Sequence, residues 1–262
     1  MNPIIDWLRP FQFRGKARLL GPLIPKSGEW EGRVFGWTMR LDLSEHIQRN
    51  IYLGTYEREE TKLVKNYLGK GMSFIDVGAN FGYFTALAAK MCGPTGKIVA
   101  IEPSPFAFSR LQGLIEKNSI TFAKCYNWGL GSIAGTLLLH LPEETDPIHS
   151  PTIIGEPTKN SVEVKIVTLD ELLDMERLST VDLMKVDVEG FEPEVFKGGR
   201  KSLETGKVKA ILCELNDVWL RKAGTSAEAL YRFILDMGFT CSHKPKFFPG
   251  SFHNCFFVWN GS

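Results

Sequence analysis

Two hydrophobic periods alternate along the chain. Short apolar runs at 73–77, 98–101, 122–126, 183–188 and 208–214 predict strands, most of them buried on both faces. Between them Phe84, Leu87, Ala88 and Met91 recur at i, i+3, i+4 and i+7, and Leu230, Phe233, Ile234 and Met237 share another helical face. Gly93-Pro94 stops the first of these helices, and Thr225 with Glu228 predicts a capping box for the second. Upstream, Leu63, Val64 and Tyr67 line a helix that ends at Gly69, and 34–43 has strand character. A helix is expected over about 105–117 and a short one after Asp170. A strand pair at 136–141 and 162–167 brackets a polar, proline-containing loop at 142–160, and 252–259 reads as a closing strand. Strands alternating with helices predict an α/β fold, a mostly parallel sheet with helices on both faces.

One run breaks the pattern. VDLMKVDVEGFEPEV begins at Val181 and reads as a core strand, yet it carries Lys185, Asp187 and Glu189. Strand alternation puts these three on one face and Met184, Val186 and Val188 on the other. Burying unpaired charge costs several kcal/mol, so the charged face must open onto something or meet partners.

Composition narrows the setting. The 262 residues are 44% hydrophobic and 23% charged with a net charge of +1, ordinary for a globular protein. Without a basic stripe, nucleic acid is not an expected partner. No run of about 18 apolar residues predicts a transmembrane span. Five scattered cysteines without a CxxC pair point to core thiols in a reducing compartment, so a cytoplasmic location is expected. The N-terminal IIDWLRPFQFRGKARLL mixes aromatic and basic residues. It reads as an arm packed on its own domain in preference to a membrane-surface segment, because Pro10 would interrupt a helix.

The loop DVGANFG, Asp76 to Gly82, joins a predicted strand to a predicted helix. Gly78 allows close approach of a ligand to the backbone, and the helix after Gly82 offers free N–H groups. Glu102, at the end of the next strand, is placed to bind both hydroxyls of a ribose. The loop lacks the G-x-G-x-x-G spacing of a dinucleotide site and the Lys-Ser/Thr of a phosphate loop. Asp76 would sit poorly beside a pyrophosphate and well beside a ligand carrying an ammonium and a sulfonium. S-adenosyl-L-methionine (SAM), with S-adenosyl-L-homocysteine (SAH) as its product, is that ligand.

These segments resemble the FkbM-type methyltransferase family of the class I SAM-dependent methyltransferases. The likeness is carried by FIDVGANFGYFT, IEPSP, VTLDEL and KVDVEGFEPEVFKGG, with YLGTYE upstream and ILCEL downstream, and spans roughly residues 37 to 259. It implies a Rossmann-like class I methyltransferase fold with a seven-stranded sheet, the last strand antiparallel, over residues 37–262, behind an N-terminal arm at 1–36. Asp76, Gly78, Asn80 and Gly82 would frame the methionine part of SAM and Glu102 its ribose; Asn127 would read the adenine edge and Trp128 stack on it. Asp187 is the expected base for a hydroxyl acceptor, with Glu189 as helper and Lys185 deeper, paired with Asp76, Asp187 or Glu214. Glu57 and Glu214 are expected on the substrate side. A magnesium ion held by Asp187, Glu214 and Asn216 is the less favoured alternative, because Lys185 would repel it.

The expected activity is O-methylation of a sugar or specialised metabolite, a small-molecule or glycan acceptor. Transfer to a carboxylate or nitrogen, a non-catalytic SAM-binding scaffold and a nicotinamide-dependent oxidoreductase stand as alternatives. Neither the acceptor nor the oligomeric state is specified by the pattern.

Overall fold

The apolar runs pair with one another. The computed structural model describes residues 7, 11, 15–25, 28–141, 152–153 and 159–261. Its strands are β1 (Glu29–Val34), β2 (Trp37–Asp42), β3 (Ser73–Val77), β4 (Lys97–Ile101), β5 (Ala123–Tyr126), β6 (Trp128–Leu130), β7 (Gly135–His140), β8 (Ser161–Val167), β9 (Leu183–Val186), β10 (Ala210–Asn216), β11 (Phe239–Cys241) and β12 (Phe252–Trp259). Its helices are α1 (Lys16–Leu20), α2 (His46–Leu53), α3 (Arg58–Tyr67), α4 (Tyr83–Cys92), α5 (Pro105–Lys117), α6 (Leu169–Met175), α7 (Glu192–Gly198), α8 (Arg200–Glu204), α9 (Asp217–Lys222) and α10 (Ala227–Asp236).

Seven strands form one sheet in the order β11-β12-β10-β9-β3-β4-β5. The pairs from β10 to β5 are parallel, and β12 runs antiparallel to both β10 and β11. The expected Rossmann-like α/β sheet with an antiparallel last strand is therefore present. Strand alternation divides its core in two. Ile75, Val77, Met184, Val186, Ile211 and Cys213 pack on one face. Phe74, Leu183, Ala210 and Leu212 pack on the other, against α3, α4 and the β1–β2 hairpin. Asp76, Lys185 and Glu214 each follow a member of this second set by two residues and so lie on its face, which places three charged side chains on one face of three adjacent strands.

Several expectations are corrected. Residues 34–43 are not one strand: Phe35 (φ 54°) and Gly36 (φ 94°) make the tip of a hairpin. Two positive-φ residues are what a two-residue hairpin turn needs, and Phe35 tolerates the conformation with its ring against Tyr83 at 5.1 Å. The expected boundary at 36/37 thus cuts this hairpin. β1 is joined to α5 through Glu29 with Arg110 and Glu31 with Lys117. Helix α2 went unpredicted; Glu45 caps it by accepting from the Ile47 and Gln48 amides, and Gly54 ends it at φ 68°. The cap of α10 is Ser226, not Thr225. The pair β7–β8 gains β6 as a third strand. Most of the 142–160 loop lies outside the described residues. Of the N-terminal arm, Leu20 and Ile24 are buried in the core with Met39 and Leu41.

Candidate active site

β3 and its neighbour β4 depart toward one side of the sheet, β9 and β10 toward the other, and the carboxyl ends of these strands open at that switch point. A cavity of about 340 Å³ lies there. Asp76, on the second-to-last residue of β3, is 1% exposed. Its Oδ2 accepts from Thr85 Oγ1 at 2.6 Å, and its Oδ1 accepts no hydrogen bond. Burial raises its carboxyl above the usual range, opposed in part by Lys185. A buried oxygen left without a donor in a cavity wall is a ready partner for an ammonium.

Gly78 follows at φ 79°, and a Cβ there would stand 1.9 Å from the Asp187 carbonyl oxygen. No other residue fits between the two strand ends. Asn80 takes φ 50°, which lets its amide turn to Glu102 Oε2 at 2.7 Å, while Ser104 N donates to Oε1 at 2.8 Å. Glu102 is pushed up to about 7, by burial first and against these two amide bonds. Gly82 caps α4 and does not line the cavity; a Cβ there would stand 2.8 Å from Leu111 and from Leu114, so it lets α4 approach α5. Nor do Asn127 and Trp128 line it. The Asn127 amide donates to the carbonyls of Glu102 and Pro103, at 2.8 and 2.9 Å, and braces the loop that presents Glu102. Trp128 lies between the stacked ring of Tyr126 at 4.3 Å and Lys165 at 4.0 Å.

The charged strand resolves differently from simple alternation. β9 ends at Val186, and Glu189 stands in a turn at φ 52°, so only Lys185 belongs to the strand face. Lys185 Nζ donates to Asp187 Oδ2 at 2.7 Å and lies 4.9 Å from the Phe84 ring centre. Burial alone would push Lys185 down; Asp187, Glu57 and Asp76 outweigh it and hold the ammonium well above the usual lysine range. Glu57, the residue before α3, is in the left-handed region at φ 34°. Its carboxyl is raised by burial, and Lys185 opposes the rise. Glu214 near the end of β10 is raised by burial and then by Asp187 and Glu189. Of the six non-glycine residues at positive φ among the described residues, three, Glu57, Asn80 and Glu189, line this one cavity. Such strain persists where the surrounding structure holds it, and it gathers at functional sites.

Asp76, Gly78, Asn80, Glu102, Lys185, Asp187, Glu189, Glu57 and Glu214 thus meet around one space. The expected role of Glu57 had no neighbour in the sequence to confirm it; α3 brings it in from more than 120 positions away. Trp219 and Phe252 in the wall had no distinct sequence signal, while Tyr56 in the wall and Thr85 under Asp76 lie in the segments that carry the likeness without having been singled out. Glu192 is another. Its Oε1 accepts from Val188 N at 3.0 Å and Gly190 N at 3.2 Å, and so holds the turn that carries Glu189. The signal for it was present as the second acid of the EGFEPE run.

The orphaned Asp76 oxygen, the Gly78 gap that a side chain would fill and the amide-held Glu102 fit the cationic, ribose-bearing cofactor expected from the sequence. Among the described residues no group of three or more His, Cys, Asp or Glu is arranged to hold a metal ion, and no helix is long and apolar enough to cross a membrane.

Comparison with known proteins agrees. The chain is 33% identical to methyltransferase sdnD of Sordaria araneosa over 153 residues, 47% of this chain and 59% of that protein. It is 29% identical to the hexuronic acid methyltransferase AglP of Haloferax volcanii over 141 residues, 54% of each. The chain therefore spans a little over half the length of the curated relatives it matches. Among solved structures it is similar to a methyltransferase FkbM from Methylobacillus flagellatus KT, with 15% identity and a TM-score of 0.46, over 81% of this chain and 52% of that one. Residues 76–241, which hold Asp76, Glu102 and the Lys185–Asp187 pair, match the methyltransferase FkbM domain, and the chain belongs to that family.

Proposed function

We propose that this chain is a SAM-dependent methyltransferase that methylates a hydroxyl oxygen on a sugar or specialised metabolite, with Asp187 as the base. The observation that supports it most is the juxtaposition of two acids with different surroundings. Asp76 keeps a buried oxygen without a donor, and Asp187 sits across Gly78 from it at the mouth of the same cavity.

Asp76, Gly78 and Asn80 would hold the methionine end of SAM, and Glu102 its ribose. SAM supplies an electrophilic methyl on a good leaving group, so the chain's main task is alignment. Asp187 Oδ2 is bound by Lys185, which fixes the carboxylate and leaves Oδ1 for the acceptor. There Asp187 accepts the proton that the hydroxyl gives up as its oxygen is methylated. Glu189, held by its turn, and Glu57, held by the start of α3, anchor the acceptor. Five cysteines, none in a disulfide, fit a reducing compartment, and we place the chain in the cytoplasm.

The test is SAH calorimetry together with transfer of labelled methyl from SAM. Wild type and Asp187→Ala should bind SAH alike, and Asp187→Ala should lose about 10²- to 10⁴-fold in kcat. Loss of SAH binding in Asp187→Ala, or unchanged turnover, would remove Asp187 from the chemistry. Absence of SAH binding to wild type would remove the methyltransferase reading itself.

A further inference from the structure

The cavity wall away from Asp76 and Glu102 is one-sided in charge. Glu57 comes from the start of α3, Asp187 from the end of β9, Glu189 from the turn after it and Glu214 from β10. Four separate elements deliver four carboxylates to one space. Among the described residues a single cation, Lys185, lines the same cavity, and its ammonium is already engaged by Asp187 Oδ2 at 2.7 Å. Lys222 lies near the rim at 4.0 Å over the Trp219 ring, but does not line the cavity.

Aromatic rings stand beside these acids. Tyr56 stands on the α3 side, and Trp219 from α9 and Phe252 from β12 on the other. Phe252 is 54% exposed, a large ring kept at the rim of a cavity. Carboxylates beside flat apolar rings suit a ligand that has hydroxyls along its edges and C–H faces between them. The carboxylates accept from the hydroxyls, and the rings cover the faces.

Charge then chooses among such ligands. Glu57 and Glu214 are both raised, by burial first, with neighbouring carboxylates adding to the rise. Apart from Lys185 and the sulfonium that the cofactor would bring, the space is short of positive charge among the described residues. A protonated amine on the acceptor would offset that shortage, and a neutral hydroxyl would leave it unchanged. A carboxylate or phosphate would add a further negative charge where little water screens it.

We propose that the acceptor is a polyol that is neutral or carries an ammonium group beside the reacting hydroxyl, and that Glu57, Asp187, Glu189 and Glu214 turn away acidic acceptors. The inference rests on the methyltransferase reading and narrows it. It sets this chain apart from the relative that bears the name of a hexuronic acid methyltransferase.

The experiment measures methyl transfer from labelled SAM to three panels at matched concentration: hexosamines, neutral hexoses, and hexuronic acids with hexose phosphates. SAH binding is measured on the same preparation. The expected result is labelled hexosamine or neutral hexose, with kcat/KM at least tenfold above every acidic member. Glu57→Gln and Glu214→Gln, each checked for SAH binding and a cooperative melt, should narrow that gap. Equal or better transfer to an acidic member overturns the proposal, as does SAH binding with no label in any panel. A protein that fails to bind SAH fails at the earlier step, and the methyltransferase reading falls with it.

Discussion

Glu192 shows how much one buried carboxyl can decide. It is 2% exposed; Oε1 takes two backbone amides, and Oε2 accepts no hydrogen bond. Burial raises it from 4.5 to about 7. The sign follows directly. The folded chain keeps a proton that the unfolded chain has released, so this group's share of stability falls as pH rises from about 4.5 through about 7 and is flat above. Glu192→Gln keeps an acceptor for the two amides and has no proton to lose. Denaturant melts of both proteins from pH 5 to pH 8 should show the variant gaining on wild type, by on the order of 2–3 kcal/mol. A gap that stays constant across that range would mean Glu192 does not titrate there. Gly78→Ala is the other residue-scale test. A Cβ 1.9 Å from the Asp187 carbonyl, at a φ of 79°, must push β3 and β9 apart. Soluble Gly78→Ala with wild-type SAH affinity would contradict the close approach; loss of stability by several kcal/mol, with SAH binding abolished, is expected.

At the scale of elements, the β1–β2 hairpin is held to the sheet's helices by few polar contacts. Asn118, which caps the C-terminus of α5, accepts from Thr38 N and donates to Thr38 O, both at 2.8 Å. Its side chain also donates to Leu114 O. Trp37 Nε1 donates to Ala86 O at 3.0 Å, which ties the hairpin to α4 as well. Asn118→Ala leaves the Thr38 groups without their partners and should destabilise by about 1–3 kcal/mol. SAH affinity should hold, because Asn118 lies at the far end of α5 from Glu102. A wild-type melting midpoint would show that apolar burial alone docks the hairpin.

At the scale of the whole molecule, ligand binding and folding are one equilibrium. SAH at about 100 times its dissociation constant should stabilise by about 2.7 kcal/mol. For a chain of this size that is a rise in Tm of roughly 5–10 °C. Glu102→Ala should lose most of this rise, since both Glu102 oxygens also hold the Asn80–Ser104 loops. A full shift in Glu102→Ala would place the ribose elsewhere.

The alternation of apolar runs, glycines and acids by itself determined the α/β class, most of the sheet strands and the acids at their ends. These are local signals: a strand buried on both faces must be apolar, and Gly78 stands where no side chain has room. It did not carry the two-strand nature of 34–43, the end of β9 at Val186 or the retreat of Asn127 and Trp128 from the cavity. A left-handed Phe35 is paid for by contact with the distant Tyr83, which leaves no period in the chain. The same holds for Glu57 beside Lys185 and for the Trp219–Phe252 rim. Each side chain is ordinary where it stands in the sequence. Only the packing of α3, α9 and β12 around the ends of β9 and β10 turns them into one wall, because charge and shape add up in space and not along the chain.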